Sequence, residues 1–438
     1  LVNALEIYVT SSQQTTVTVE HAASRFVMTK EVKPYSVTTF TTRDASALWN
    51  WELTKSEIPQ SGAIHVTAEH PVSVYVMSAK ERSADGYTAL PLQAWGREYL
   101  HCAYYDHYDQ TLVKEWGGGF VVIAADNGTE ITLRLRGKNI TGLGRTVGGR
   151  TIPNQQKIIL NKGETYVVQG NGQTLGTFDL TGTSISANKP IGVISYHQRA
   201  MLPSNNQNGR SYLVEMMPPV HAWGKKHVAL EYQREGKGDF FRILAAENDT
   251  RWSLKYYDKN TGRLLRQSQE RVLQAGEFYE ELNSYAGRGQ AESIRGVSVW
   301  ESNKPVLIMQ YSYSTFWDNT NDYDPFMTIV SPVEQYITAS VFQTPTLPSF
   351  QTHWFNMIVV GDRADSSHSK LKSIQLDGQP LWQIQPQLLQ RNIPGTDLYW
   401  AQIKVTPGSH LVAGSTPFTG HIYGFGNFNS YGMPAAIS

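Results

Sequence analysis

One segment recurs four times along this chain of 438 residues. It reads DLTGTSISANKPIGVISYHQ from Asp179 to Gln198, with versions in GAIHVTAEHPVSVYVM around Pro71, RGVSVWESNKPVLIMQYS around Pro305 and GSHLVAGSTPFTGHIYGF around Pro417. The prolines stand 119, 115 and 112 residues apart. A near-constant period of that size means one supersecondary unit used four times. A second landmark keeps the same order: FVVIAADNGTEITL around Asn127 returns as FRILAAENDTRWSL around Asn248. Its fourth copy is HWFNMIVVGD at His353 to Asp362, and its first is LEIYVTSSQQTTVTV at Leu5 to Val19. The third landmark is a turn, LNKGETYVV at Leu160 and LQAGEFYEEL at Leu273.

Within the segment, Leu180, Thr183, Ile185 and Ala187 alternate with small polar residues, as a strand with one buried face does. Asn188, Lys189 and Pro190 are expected to break that strand, and Ile191 to Tyr196 to begin another. Thr, Val, Tyr, Ile and Gly are abundant elsewhere, in short alternating runs punctuated by Gly, Asn, Asp and Pro, and helical periodicity is hard to find. The fold class is all-β: four tandem repeats of about 115 residues, each a β-sandwich-like unit. A propeller-like closed arrangement is the alternative, although propeller blades are usually shorter. Expected boundaries are 1–84 for a shorter first unit, 85–209, 210–321, and 322–438 with a C-terminal tail segment. The Asn127-Gly128 pair suits a type I′ turn. The tail, SYGMPAA, is similar to SYLVEMMPP at Ser211 and GYTALPL at Gly86, which enter the following units. It is therefore expected to pack back on unit one, or on another protomer as an oligomer contact.

The A-x-x-N-G-T hairpin, the L-x-x-G-E-x-Y turn, D-L-T-G-T-x-I-x-A-x-K-P-I-x-V and the segment Pro218 to Gly224 together resemble the IgGFc-binding domain family, from about Ser78 to Tyr431. The family takes its name from the N-terminal region of a mucus glycoprotein that binds immunoglobulin Fc, and similar domains occur in secreted bacterial proteins. The resemblance implies an extracellular binding or adhesive module; it assigns Fc binding to no particular residue here.

Thirty-eight basic residues face thirty-eight acidic ones. That balance argues against a nucleic-acid partner, whose affinity comes mainly from neutralising phosphates. Cys102 stands alone, so no intrachain disulfide forms, which favours a bacterial source over a secreted animal one. In YLHCAYY it alternates like a buried, inert thiol. The chain opens at Leu1 without a signal peptide, as expected of a processed secreted product, and no run of 18 apolar residues marks a transmembrane segment.

Catalytic signatures are missing: there is no H-E-x-x-H, G-x-S-x-G or phosphate loop, and Gly142, Gly144 and Gly148 miss a dinucleotide fingerprint. His101 and His107 flank Tyr104, Tyr105, Asp106 and Asp109, a cluster only if the loop folds back. In FWDNTNDYDP, Asp318, Asn319, Asn321, Asp322 and Asp324 gather five oxygen-bearing side chains within seven residues, a candidate calcium loop. Asn- and Asp-rich turns also arise for backbone reasons alone. Aromatics collect at the same junctions: Tyr104, Tyr105 and Tyr108, then Tyr311, Tyr313, Phe316, Trp317 and Tyr323. Such rings either stack on sugars or fill the contact between two sandwiches. Trp95, Trp223 and Tyr336 recur by repeat position as packing residues, and Glu164 and Glu277 beside turn glycines as structural hydrogen bonders. The expected function is a non-enzymatic extracellular or cell-surface module for adhesion, with a glycan or glycoprotein ligand. A structural subunit of a surface layer or filament, built from copies of itself, is the second reading, and a carbohydrate-active enzyme the third.

Overall fold

In units two to four a single long strand carries the repeated segment: Ser184–Ala200, Val297–Tyr311 and Gly408–Gly426. The expected break at Asn188 to Pro190 is instead a bend, marked by a register shift between Ser186 and Ile191. Proline has no N–H to give to a ladder and is tolerated where pairing is interrupted. The strand therefore passes from one layer of the sandwich to the other, which is how corners are turned without a loop. Only unit one splits it, into Ile64–Ala68 and Ser73–Ala79.

In this computed structural model, residues 4–42, 51–79, 82–109, 114–139, 144–171, 178–203, 209–234, 238–280, 293–319 and 322–435 are described. Unit two shows the plan. The first half of the long strand pairs with Thr129–Leu135 and Gly96–Leu100; the second half pairs with Gly118–Ala124 and Ser211–Met216. Phe120, Val122, Ile131, Leu133, Ile185 and Val193 close the core between the layers. Unit four departs from the plan between Val360 and Leu398, where short helices at Ser369–Lys372, Leu381–Ile384 and Pro386–Gln390 are inserted.

The landmark residues tie one another down at one end of units two and three. In unit two Asn127 Oδ1 accepts the Lys162 amide at 3.0 Å, Lys189 Nζ donates to the Asn127 carbonyl at 2.6 Å, and Asn188 Oδ1 accepts the Glu130 amide at 2.9 Å. Unit three repeats this with Asn248 and Ala275, Lys304 and Asn248, and Asn303 and Arg251. Glu164 and Glu277 accept the Asn161 and Gln274 amides of their own turns at 2.6 and 2.8 Å. Only the second turn residue takes positive φ, 62° at Gly128 and 55° at Asp249, so the type I′ geometry expected for Asn127-Gly128 is not used. The asparagine is kept as a hydrogen-bond acceptor.

The four units close into a ring. The strand entering each following unit pairs with the long strand of the unit before it: Asp85–Thr88, Ser211–Met216, Met327–Val330 and, last, Asn429–Pro434. These four strands meet at the centre of the molecule, where the Asp85 carboxylate accepts four backbone amides. Gly86 and Gly432 donate to Oδ1 at 2.9 and 3.3 Å, and Val214 and Met327 to Oδ2 at 3.0 and 3.4 Å. Gly86, Val214, Met327 and Gly432 occupy equivalent repeat positions, facing Met77, Tyr196, Tyr311 and Tyr423 across their ladders. One carboxylate thus gathers one amide from each of four strands. Burial pushes Asp85 well above the usual carboxylate range, against the pull of those amides, and Glu215, which accepts the Met216 and Ile329 amides, is raised with it. The tail closes the ring on unit one, as its sequence suggested: Ala84 N donates to Asn429 Oδ1 at 3.1 Å, and Tyr8, Tyr75 and Met77 share a core with Phe355, Tyr431 and Met433. It is thereby seated within its own chain.

Candidate functional site

The junction aromatics fold inward. Tyr104, Tyr105, Tyr311 and Tyr313 are all buried, the last two completely, and they fill the contact between units two and three instead of forming an open face. Tyr313 lies by Arg234, while Tyr104, Tyr105 and Tyr311 gather around Arg242, with no exposed surface, whose Nη1 lies 2.6 Å from Asp179 and Nη2 3.0 Å from Glu280. Its guanidinium also lies over Tyr104 and Phe278, 4.7 and 4.6 Å from the ring centroids. Tyr105 Oη donates to Glu280 at 3.0 Å. Trp317 is half-buried against Tyr313, while the side chains of Tyr108 and Phe316 lie outside what the structure describes. A sugar cannot stack on rings already enclosed by protein, so these residues pack one unit on the next.

The Asp/Asn loop also turns its carboxylates in different directions. Asp318 is engaged by Arg234 and by the Tyr323 hydroxyl at 3.0 Å. Asn319 is exposed in the left-handed region with φ 58°, Asp322 is exposed, and Asn321 lies outside the described residues. Asp324 is buried beneath Ser312 and Ser430, and burial pushes its carboxyl up to about 8. Among the described residues no three His, Cys, Asp or Glu side chains come together as a metal site. Among the described residues of the loop, Asp318 is turned to Arg234 and Tyr323, Asp322 is exposed and Asp324 is buried, whereas a calcium ion would need six to eight oxygens brought together.

His101 and His107 are buried as well, and neither forms an accessible acid–base cluster. His101 Nδ1 lies 2.8 Å from Ser195 Oγ, the spacing of a base and its nucleophile, yet both residues have no exposed surface. Burial lowers the imidazole to about 4, so it stays neutral inside the core. Cys102, also fully buried, is raised to about 11, which keeps it a thiol.

Accessible concavities lie instead at the seams between units. The seam of units three and four holds a cleft of about 410 Å³ lined by Tyr257 to Gly262, Val297, Gln387, Gln390 to Pro394 and Trp400. Asp258 shapes its near wall: one carboxylate oxygen accepts the Asn260 amide, the Thr261 amide and the Thr261 hydroxyl at 3.1, 2.8 and 2.8 Å, which lowers its pKa. On the far wall Arg391 lies 4.0 Å over the Trp400 ring, and Asn392 Nδ2 donates to the Thr396 and Leu398 carbonyls. Gln387 and Gln390 are exposed on the short 3-10 helix above it. Sequence alone missed this wall; its one signal was the proline-broken stretch QIQPQLLQRNIPGTD in the unit where the Asn-Gly-Thr landmark is not matched.

Known proteins place the chain. It is 22% identical over 347 residues to a human protein named IgGFc-binding protein, a match covering 78% of this chain and 5% of that far longer protein. A solved tetra-tandem repeat from the extending region of a large adhesion protein aligns over 98% of this chain and 92% of its own, at 10% identity and a TM-score of 0.11, too low to bear on fold or function. Among the described residues no helix is long and apolar enough to cross a membrane. Residues 85–424 match the family described as IgGFc binding protein, and the chain belongs to that family.

Proposed function

We propose that this chain is an extracellular, non-enzymatic binding module that recognises a glycan or the glycan of a glycoprotein in the cleft between units three and four. The chemistry of that cleft supports the reading. Amides of Asn260, Gln387 and Gln390, the Thr261 hydroxyl and the second oxygen of Asp258 can exchange hydrogen bonds with sugar hydroxyls, beside the half-buried ring of Tyr257. Those polar groups sit on a tight turn at the end of a strand and on a short 3-10 helix, and a few convergent polar groups of this kind are what small-ligand sites use. Asp258 is the one carboxylate that lines the cleft, whereas glycoside hydrolysis ordinarily needs two on opposite sides of the bond. Membership of a family named for binding supports the same reading. The human relative's name speaks of the Fc of immunoglobulin G, so Fc belongs among the ligands tried.

The test is binding of the intact chain to an array of glycans and glycoproteins, Fc included. A hit that falls at least tenfold in a Gln387→Ala, Gln390→Ala double variant supports the site. Hits indifferent to that change, or self-association with no hit, would move the function to another surface or to assembly.

A further inference from the structure

The seam between units two and three holds the repeat-equivalent cleft, and its chemistry differs. Arg136 and Gly182 stand there where Tyr257 and Val297 stand one unit later. The volume is about 620 Å³, and every charged side chain on its wall, Arg134 and Arg136, is a cation. The carboxylates adjoining the unit-three wall are occupied: Glu277 caps its own turn, and Glu247 faces Lys304 at 3.7 Å.

Arg136 is held in place. Its Nη1 donates across the seam to the Ala275 carbonyl, and its backbone exchanges hydrogen bonds of 3.0 and 2.9 Å with the Thr183 hydroxyl. Arg134 stands on the strand Thr129–Leu135 and Arg136 directly follows its end, and both line the cleft. Arg134 is exposed and makes no hydrogen bond or ion pair with a described residue. Two guanidinium groups on one wall, one anchored and one without a partner among the described residues, suit a carboxylate, which takes paired N–H donors in a fork. Leu100, Pro153, Ala246 and Ala275 supply an aliphatic wall, and no aromatic ring lines the cleft for a sugar to stack on.

We propose that this cleft is a second binding site, for an acidic peptide segment of a protein partner, with a Glu or Asp side chain between Arg134 and Arg136 and neighbouring aliphatic groups on the apolar wall. It stands independently of the sugar cleft. The probe is a fluorescent peptide of alternating Glu and Ala, titrated by anisotropy against the intact chain, beside its Gln-for-Glu counterpart and a sulfated disaccharide. The Glu peptide is expected to bind with an affinity that falls as salt rises, and the Gln peptide not to bind. Arg134→Gln, a change at an exposed side chain with no partner among the described residues, is expected to weaken it at least tenfold. Arg251→Gln, at an exposed arginine of unit three that faces Glu270, is expected to leave it unchanged. Equal binding of the Gln peptide, indifference to Arg134→Gln, or binding of the disaccharide in place of the peptide each overturns the proposal.

Discussion

Replacing Asp85 by alanine removes the acceptor that four strands share. The carboxylate has no exposed surface, and the amides of Gly86, Val214, Met327 and Gly432 reach it at 2.9, 3.0, 3.4 and 3.3 Å. A buried donor left without a partner costs about 1–3 kcal/mol. Counting the two longer bonds at half weight gives roughly 3–9 kcal/mol, and water entering the vacated space brings the expected loss to the lower end, about 3 kcal/mol. That is a large share of the roughly 5–15 kcal/mol by which domains are stable. Urea unfolding followed by tryptophan fluorescence reads it as a lower midpoint, with a broader transition because the units lose a common anchor. Asp85→Asn sharpens the test. The amide keeps the shape of the carboxylate but points N–H groups at two of the four donors, so it restores at most half the loss. If asparagine restores wild-type stability, or alanine costs less than about 1 kcal/mol, the shared-acceptor reasoning is wrong.

Three further outcomes follow from the packing. Gly182 has φ 94°, and a Cβ there would lie 2.1 Å from the Gly276 carbonyl oxygen, so Gly182→Ala is expected to cost about 2 kcal/mol or more and to disturb the seam of units two and three, read by thermal melting. Arg242→Met leaves Asp179 buried without its cation and is expected to cost about 3–5 kcal/mol at pH 7, measured by denaturant titration. Asp324 has its folded carboxyl raised to about 8, so its share of stability is full below the unfolded value near 4 and is lost as pH rises toward 8. Between pH 5 and pH 7 the wild type is therefore expected to lose about 2–3 kcal/mol relative to Asp324→Asn, and parallel pH profiles of the two proteins would contradict this.

Much of the fold was legible because each landmark combines a strand pattern with turn residues that bond one another locally. Asn127, Lys189 and Glu164 explain why the hairpin, the N-K-P bend and the Gly-Glu turn recur together: their side chains lock one end of the unit. That lock also explains why the same motifs name a family without naming a ligand. The ring was harder to see. Its centre is held by backbone amides of Gly86, Val214, Met327 and Gly432, four positions with no side chain in common beyond a glycine pair. Only Asp85 marks it, and a lone aspartate at a strand start looks like any turn residue. The long strand hid for a related reason, since Asn-Lys-Pro reads as a break although a bulge lets the chain change sheets.

The site was least legible. Tyr104, Tyr105, Tyr311 and Tyr313 have the composition of a sugar-binding surface and of an interdomain contact alike, and only burial separates the two. Arg242 decides it: it reaches Asp179, 63 positions earlier in sequence, and orders the first three rings around a pairing that no local pattern announces. The clefts at the seams need two units in register, so neither wall alone reads as a site.

Closure of four units into one ring is what brings the hub, the seams and both clefts into being, and solution X-ray scattering tests it most directly. A closed 438-residue ring is expected to give a radius of gyration of about 22 Å, the value for one compact body of that length. Four sandwiches of about 13 Å strung end to end would give roughly 40 Å, and a value near that would contradict the ring.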